Sequence, residues 1–196
     1  MKFKRVLAYI VDSIVVSLIV SLISMIGFLN PTIEKYNKTY EEYQQFNNDI
    51  LASEEEINTK ELMEKSSEYY YKLQKYSLST NIIEIFCLIG YFVIFNITTQ
   101  GQTLGKKLFK IKIVPNKCKI NWKNYLLRML ILNSTWITIL TCILLFVLPA
   151  YNFYITSMII TYLGYAVLIV DVLMMLFRHD ERSLHDILSN TKVVEA

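Results

Sequence analysis

Residues 5–20 read RVLAYIVDSIVVSLIV, apolar enough to enter a lipid bilayer yet carrying a carboxylate, Asp12, well inside. A charge near the middle of a spanning helix costs about 2.5–3.5 kcal/mol on insertion scales, so such residues face a bundle interior and pair there. The partner of Asp12 is therefore a question about the whole fold.

Working outward, 54% of the 196 residues are hydrophobic and 19% charged, and the mean hydropathy is +0.35, too apolar for an ordinary soluble domain. Four windows, 6–29, 81–98, 126–148 and 153–177, can each cross a hydrocarbon core of about 30 Å as an α-helix. The first has no small-residue cleavage site and exceeds the apolar part of a signal peptide, so it reads as a retained helix. The expected fold is an all-α membrane protein. A single domain over 1–196 forms a four-transmembrane-helix bundle, with an extracytoplasmic helical hairpin and a small cytoplasmic interfacial helix/β layer.

Orientation follows from the basic residues. MKFKR at the start has three, and the segment between the second and third windows, about 99–124, has seven lysines and no acid. Both belong in the cytoplasm by the positive-inside rule, and the tail 178–196 joins them. Residues 30–79 carry ten acids against six lysines and suit the outer side. There, Ile33, Tyr36, Tyr40, Tyr43 and Ile50 share a helical face, and Ser53 with Glu56 reads as a capping box opening a second helix through Leu62, Tyr69, Leu73 and Tyr76. The tyrosines fit packing between the two helices, or a contact with a partner or a sugar.

In the basic loop, Leu104, Leu108 and Ile111 form a short interfacial face whose Lys106, Lys107 and Lys110 reach anionic lipid headgroups. KIKIV then alternates as a strand, with Ile120 and Trp122 returning opposite Ile111 and Ile113 in a small hairpin. TKVV near the C-terminus, also β-branched, can add to that sheet. Lysines beside a bilayer need no nucleic acid to explain them.

Catalytic and metal chemistry find little support. Cys87, Cys118 and Cys142 lack metal-ligand spacing. His179 and His185 stand six apart, on different helix faces, whereas shared ligation from one face wants three or four. No catalytic triad, phosphate loop or HExxH is present, so neither an enzyme nor a cofactor is expected. Arg182 and Asp186, four apart, are expected to pair on a tail helix.

Three separated segments, KRVLAYIVD, GQTLGKKLFKIKIV and RSLHDILSNTKVV, together resemble the RDD family of bacterial membrane proteins, named for an arginine and two aspartates. Arg5, Asp12 and Asp186 stand at those positions. The resemblance implies a multi-pass protein of the bacterial plasma membrane with a role in transport, and it carries nothing onto residues 33–79.

The charges themselves give more. Asp12 and Asp171 each lie about six residues from the cytoplasmic ends of their windows, roughly 9 Å deep by helical rise. Arg128 can reach that level. Asp12, Asp171 and Arg128 are therefore expected to converge, with Arg5 and Asp186 near them, and Glu84, Arg182 and His185 as weaker candidates. One arginine between two carboxylates leaves a negative charge fit for a cation or proton. Mutual neutralisation would instead make the cluster a brace, in which case Asp12→Asn should be tolerated. Two functions remain open: a transporter or transporter subunit, which four helices would support by self-assembly into a homo-oligomer, and a non-transporting scaffold whose outer hairpin engages a protein partner.

Overall fold

The computed structural model describes residues 1–52, 58–116 and 119–196. Among these residues, three helical segments are long and apolar enough to cross a membrane: α1 (Lys2–Ser24), the segment Leu78–Thr98, and α9 (Ala150–Phe177). On α1 and α9 polar and charged residues lie among the buried ones while many aliphatic ones face outward, unlike the surface of a soluble protein. On α1 the buried residues are Arg5, Ala8, Asp12 and Val16, spaced three and four apart, while Ile10, Ile14 and Leu18 point outward. On α9, Ser157, Gly164 and Asp171 are buried while Ile159, Leu163 and Ile169 are exposed. Polar groups inside and aliphatic groups outside are what a hydrocarbon solvent selects, so the chain is a multi-pass membrane protein.

Leu78–Thr98 is not a uniform helix. It runs as α4 (Leu78–Ile89), a π-helical segment (Gly90–Phe95) and a last turn, α5 (Asn96–Thr98). Wider winding buries three consecutive side chains, Tyr91, Phe92 and Val93, and Tyr91 thereby faces α1. The window 126–148, expected as one helix, is instead two: α7 (Trp122–Leu132) and α8 (Thr135–Leu144), bent by 77°. The break falls where Ser134 adopts a left-handed backbone conformation beside Asn133, two residue types whose side chains compete for backbone hydrogen bonds.

Beyond the first span, α2 (Ile33–Ala52) and α3 (Thr59–Tyr76) form the helical hairpin. The capping box expected at Ser53 and Glu56 lies outside the described residues; α3 opens on Asn58, whose side chain accepts from the Lys60 N–H at 3.0 Å. Tyr43 and Phe46 of α2 each lie 5.5 Å from the ring of Tyr69, while Tyr36 stacks on Tyr40 within α2. The tyrosine face thus serves in part as packing between the two helices. Tyr70 and Tyr71 meet Phe153 on α9, and the Tyr71 hydroxyl donates to the Leu145 carbonyl at 3.0 Å. At 28 residues α9 is roughly 42 Å long, more than a hydrocarbon core needs, and its first turns carry the hairpin.

At the opposite end, α6 (Leu104–Leu108) leads into β1 (Ile111–Pro115), and α10 (Leu184–Leu188) leads into β2 (Thr191–Glu195). The two strands pair antiparallel, Ile113 opposite Val193. The sheet is therefore closed by the tail. The local hairpin expected through Ile120 and Trp122 is not formed among the described residues, because Asn121 makes a capping box with Asn124 and starts α7 at Trp122.

Candidate functional site

Asp12 is fully buried and surrounded by donors. The Tyr91 hydroxyl donates to Oδ1 at 2.7 Å, the Gly105 N–H to Oδ1 at 2.7 Å, and the Thr103 hydroxyl to Oδ2 at 2.5 Å. The Lys106 ammonium stands 3.5 Å from Oδ2 and donates to Thr103 Oγ1 at 2.9 Å. Helix α6 thus hangs its first turn on a carboxylate from α1, which satisfies an N–H group that a helix start otherwise leaves without a partner. Only glycine allows this approach: a Cβ on Gly105 would sit 2.2 Å from the Ala8 carbonyl oxygen. Lys106, expected at the lipid headgroups, is turned inward instead, while Lys107 and Lys110 remain exposed.

Arg128 does not reach Asp12. Its guanidinium pairs with Asp186 and donates to Thr191 Oγ1 at 2.9 Å, and Arg5 pairs with the other oxygen of Asp186 while donating to the Glu181 carbonyl. One buried carboxylate therefore bridges two buried guanidiniums, from α1 and α7. Asp171 receives the backbone N–H of His185 at 2.8 Å, and His185 Nδ1 lies 2.8 Å from both of its oxygens. The expected convergence of Asp12, Asp171 and Arg128 resolves into three centres of one layer, each completed by a residue from the 99–124 loop or the C-terminal tail. Three cations, Arg5, Lys106 and Arg128, balance three carboxylates, Asp12, Asp171 and Asp186, so the net negative charge expected from one arginine is absent.

Two of the weaker candidates stand apart from this layer. Glu84 is half-buried on α4, and among the described residues no hydrogen bond or ion pair ties it to the layer. Arg182 pairs with Asp180 at 2.8 Å and not with Asp186, because α10 begins at Leu184 and the four-residue spacing is not helical there. His185 is the candidate that gains: 4% exposed, it sits between Asp171 and Asp186, with its Nε2 3.6 Å from the latter. Among the described residues no group of three or more His, Cys, Asp or Glu side chains is arranged to hold a metal ion.

Beside the layer lies a cavity of about 140 Å³, bordered by Arg5, Lys106, Arg128, Asp171 and His185 and otherwise by mostly apolar side chains of α1, α7, α9 and the two strands. Burial pushes Lys106 down to about 8, with Asp12 pulling the other way. Burial would raise Asp186, but Arg128, His185 and Arg5 hold it well below the usual carboxylate range. Burial also lowers His185, and Arg128 adds to the effect against the pull of Asp171 and Asp186. An unfolded imidazole takes up a proton below its ordinary value of 6.5, which the buried one resists, so the unfolded state binds more protons and stability falls as pH drops through that value. The midpoint of thermal unfolding in detergent is thus expected to be lower at about pH 5.5 than at about pH 7.5. His185→Gln should flatten that difference; an unchanged or higher midpoint at the acid end in the wild type would contradict the assignment.

A signal for the pairing was present in the sequence. Residues 103–114, TLGKKLFKIKIV, align position for position with 183–194, SLHDILSNTKVV. Thr103 and Ser183 each precede a five-residue helix, Lys110 and Asn190 both take left-handed backbone (φ 55 and 51), and Gly105 and His185 are the residues whose N–H groups meet Asp12 and Asp171. The equivalent residues Ile113 and Val193 pair with each other, which places a local two-fold axis between the units. At the next equivalent position the charge is inverted. Lys106 faces Asp12 of α1, whereas Asp186 faces Arg128 of α7.

No curated protein and no solved structure matches the chain. The model of the RDD family matches residues 2–190, a wider span than the three segments that carry the resemblance. With its arginine and two aspartates buried in one layer between apolar helices, the chain belongs to the RDD family.

Proposed function

We propose that this protein is a transporter, or transporter subunit, for a small solute that enters the cavity beside the ionic layer, with Asp171 and His185 as the titratable pair facing it. The observation that carries this reading is the cavity's border: five of the layer's charged or titratable residues line one space of about 140 Å³. In this reading Asp12 docks α6 and carries no ion. The chain has four spans, counting the bent pair α7 and α8 as one, and lies in the bacterial plasma membrane with both termini in the cytoplasm. Lys107 and Lys110 then face anionic headgroups, and copies of the chain assemble to complete the pathway. No catalytic step is assigned.

Proteoliposomes holding a pH-sensitive dye, challenged with gradients of sodium, potassium and short organic acids, test the transport. Proton movement above empty liposomes with at least one of these, lost in His185→Gln while the protein stays monodisperse, is the expected result. Movement equal to empty liposomes throughout, or unaffected by His185→Gln, overturns the reading in favour of a non-transporting scaffold. Topology is tested separately in a background without the native cysteines. Asn47→Cys should react with an impermeant thiol reagent on intact cells, and Lys119→Cys only after permeabilisation; reversed labelling inverts the orientation.

A further inference from the structure

The layer's acceptors are occupied while its donors are not. Both oxygens of Asp12 receive donors, Asp171 Oδ1 receives the His185 backbone N–H while His185 Nδ1 lies 2.8 Å from both Asp171 oxygens, and each oxygen of Asp186 receives a guanidinium. A guanidinium carries five N–H groups and an ammonium three, and neither accepts. Among the described residues Arg5 donates only to Glu181 and Asp186, Arg128 only to Asp186 and Thr191, and Lys106 to Thr103 with Asp12 at longer range. All three cations border the cavity; of the carboxylates only Asp171 does, and His185 covers it. The space therefore presents spare donors and positive charge, with no free carboxylate oxygen for a cation.

The remainder of the border is apolar, including Val6, Tyr9, Leu168, Val172 and Met175. Val6 and Val172 are 41% and 43% exposed on the outward faces of α1 and α9, so the cavity opens between these helices toward whatever surrounds them. A volume of about 140 Å³ takes about five groups of water size at ~30 Å³ each, enough for a head and the start of a chain. We infer that the cavity binds an amphipathic oxyanion, its carboxylate or phosphate on Arg5, Lys106 and Arg128 and its acyl chain passing out between α1 and α9. This deepens the solute reading above by naming the chemical class.

The test is equilibrium binding to the full-length protein in zwitterionic nanodiscs, which needs no gradient. A protein that binds but moves nothing thus sinks the transport reading and leaves this one standing. Dodecanoate and dodecyl phosphate are expected to bind at least tenfold more tightly than dodecylammonium. Leu168→Trp, which fills the cavity and leaves every ionic residue in place, is expected to weaken them at least tenfold without changing the elution profile. Equal binding of dodecylammonium, or binding unaffected by Leu168→Trp, overturns the proposal, as does inorganic phosphate binding as tightly as dodecanoate. Adding phosphatidylglycerol to the nanodisc separates the sources: displacement of dodecanoate identifies a lipid headgroup as occupant, and its retention identifies a free acid.

Discussion

Asp186→Ala is expected to leave little folded protein. The substitution strips the shared partner from Arg5 and Arg128, which are 8% and 5% exposed, and abandons two guanidiniums in a space that water scarcely reaches. Removing one partner of a buried pair costs about 3–5 kcal/mol, and here one carboxylate serves two cations. The same change removes a capping contact from α10, because Asp186 accepts from the Ser183 N–H at 3.2 Å. Asp186→Asn, which keeps one acceptor, should be milder. Both are read as the monodisperse fraction after detergent extraction and its melting midpoint; an Asp186→Ala protein with wild-type yield and midpoint would show that the layer does not hold the fold.

Asp12→Asn is expected to be costly as well, against the simple expectation that a brace tolerates asparagine. Every neighbour of the carboxylate is a donor: Tyr91, Thr103, the Gly105 N–H and Lys106. An amide must turn its own donor toward one of them and leaves that group buried without an acceptor, at about 1–3 kcal/mol, more where the group is charged. Loosening of α6 should follow, seen as faster hydrogen exchange at Gly105 and Lys106 than in the wild type. Exchange and melting midpoint unchanged from the wild type would mean that Asp12 does not dock α6. Asp12→Glu keeps the charge but lengthens the side chain into a backbone approach that admits no Cβ at Gly105, so it should not restore the wild-type midpoint.

Much of this was legible in the sequence. The apolar windows mark the spanning segments, and charges embedded in or beside them, Arg5, Asp12, Arg128, Asp171 and Asp186, mark the buried layer, because a bilayer makes any interior charge exceptional. Their pairing was not legible. Counting depth along straight helices places Asp12 and Asp171 at one level, but it treats the loop and tail as lying below the bundle. Short helices α6 and α10 instead climb beside α1 and α9 and bring Thr103, Lys106, His185 and Asp186 up to the aspartates. The break at Ser134 is a matter of local backbone conformation that the apolar pattern on either side conceals. The π-helical winding at Gly90–Phe95 leaves no periodic trace in so short a run. Of the two partners expected for β1, the tail strand TKVV is the one that pairs, and Ile120 with Trp122 does not, because α7 already begins at Trp122; the correspondence of 103–114 with 183–194 is a second signal for the same pairing.

The ionic layer holds the two helix–strand units together as a pair beside the bundle. Cysteines at Ile113 and Val193, in a background lacking Cys87, Cys118 and Cys142, measure it directly through the yield of intramolecular disulfide under mild oxidation in membranes. High yield with the layer intact, falling sharply when Asp186→Ala is added, is the predicted result; no disulfide with the layer intact, or the same yield without Asp186, would contradict it.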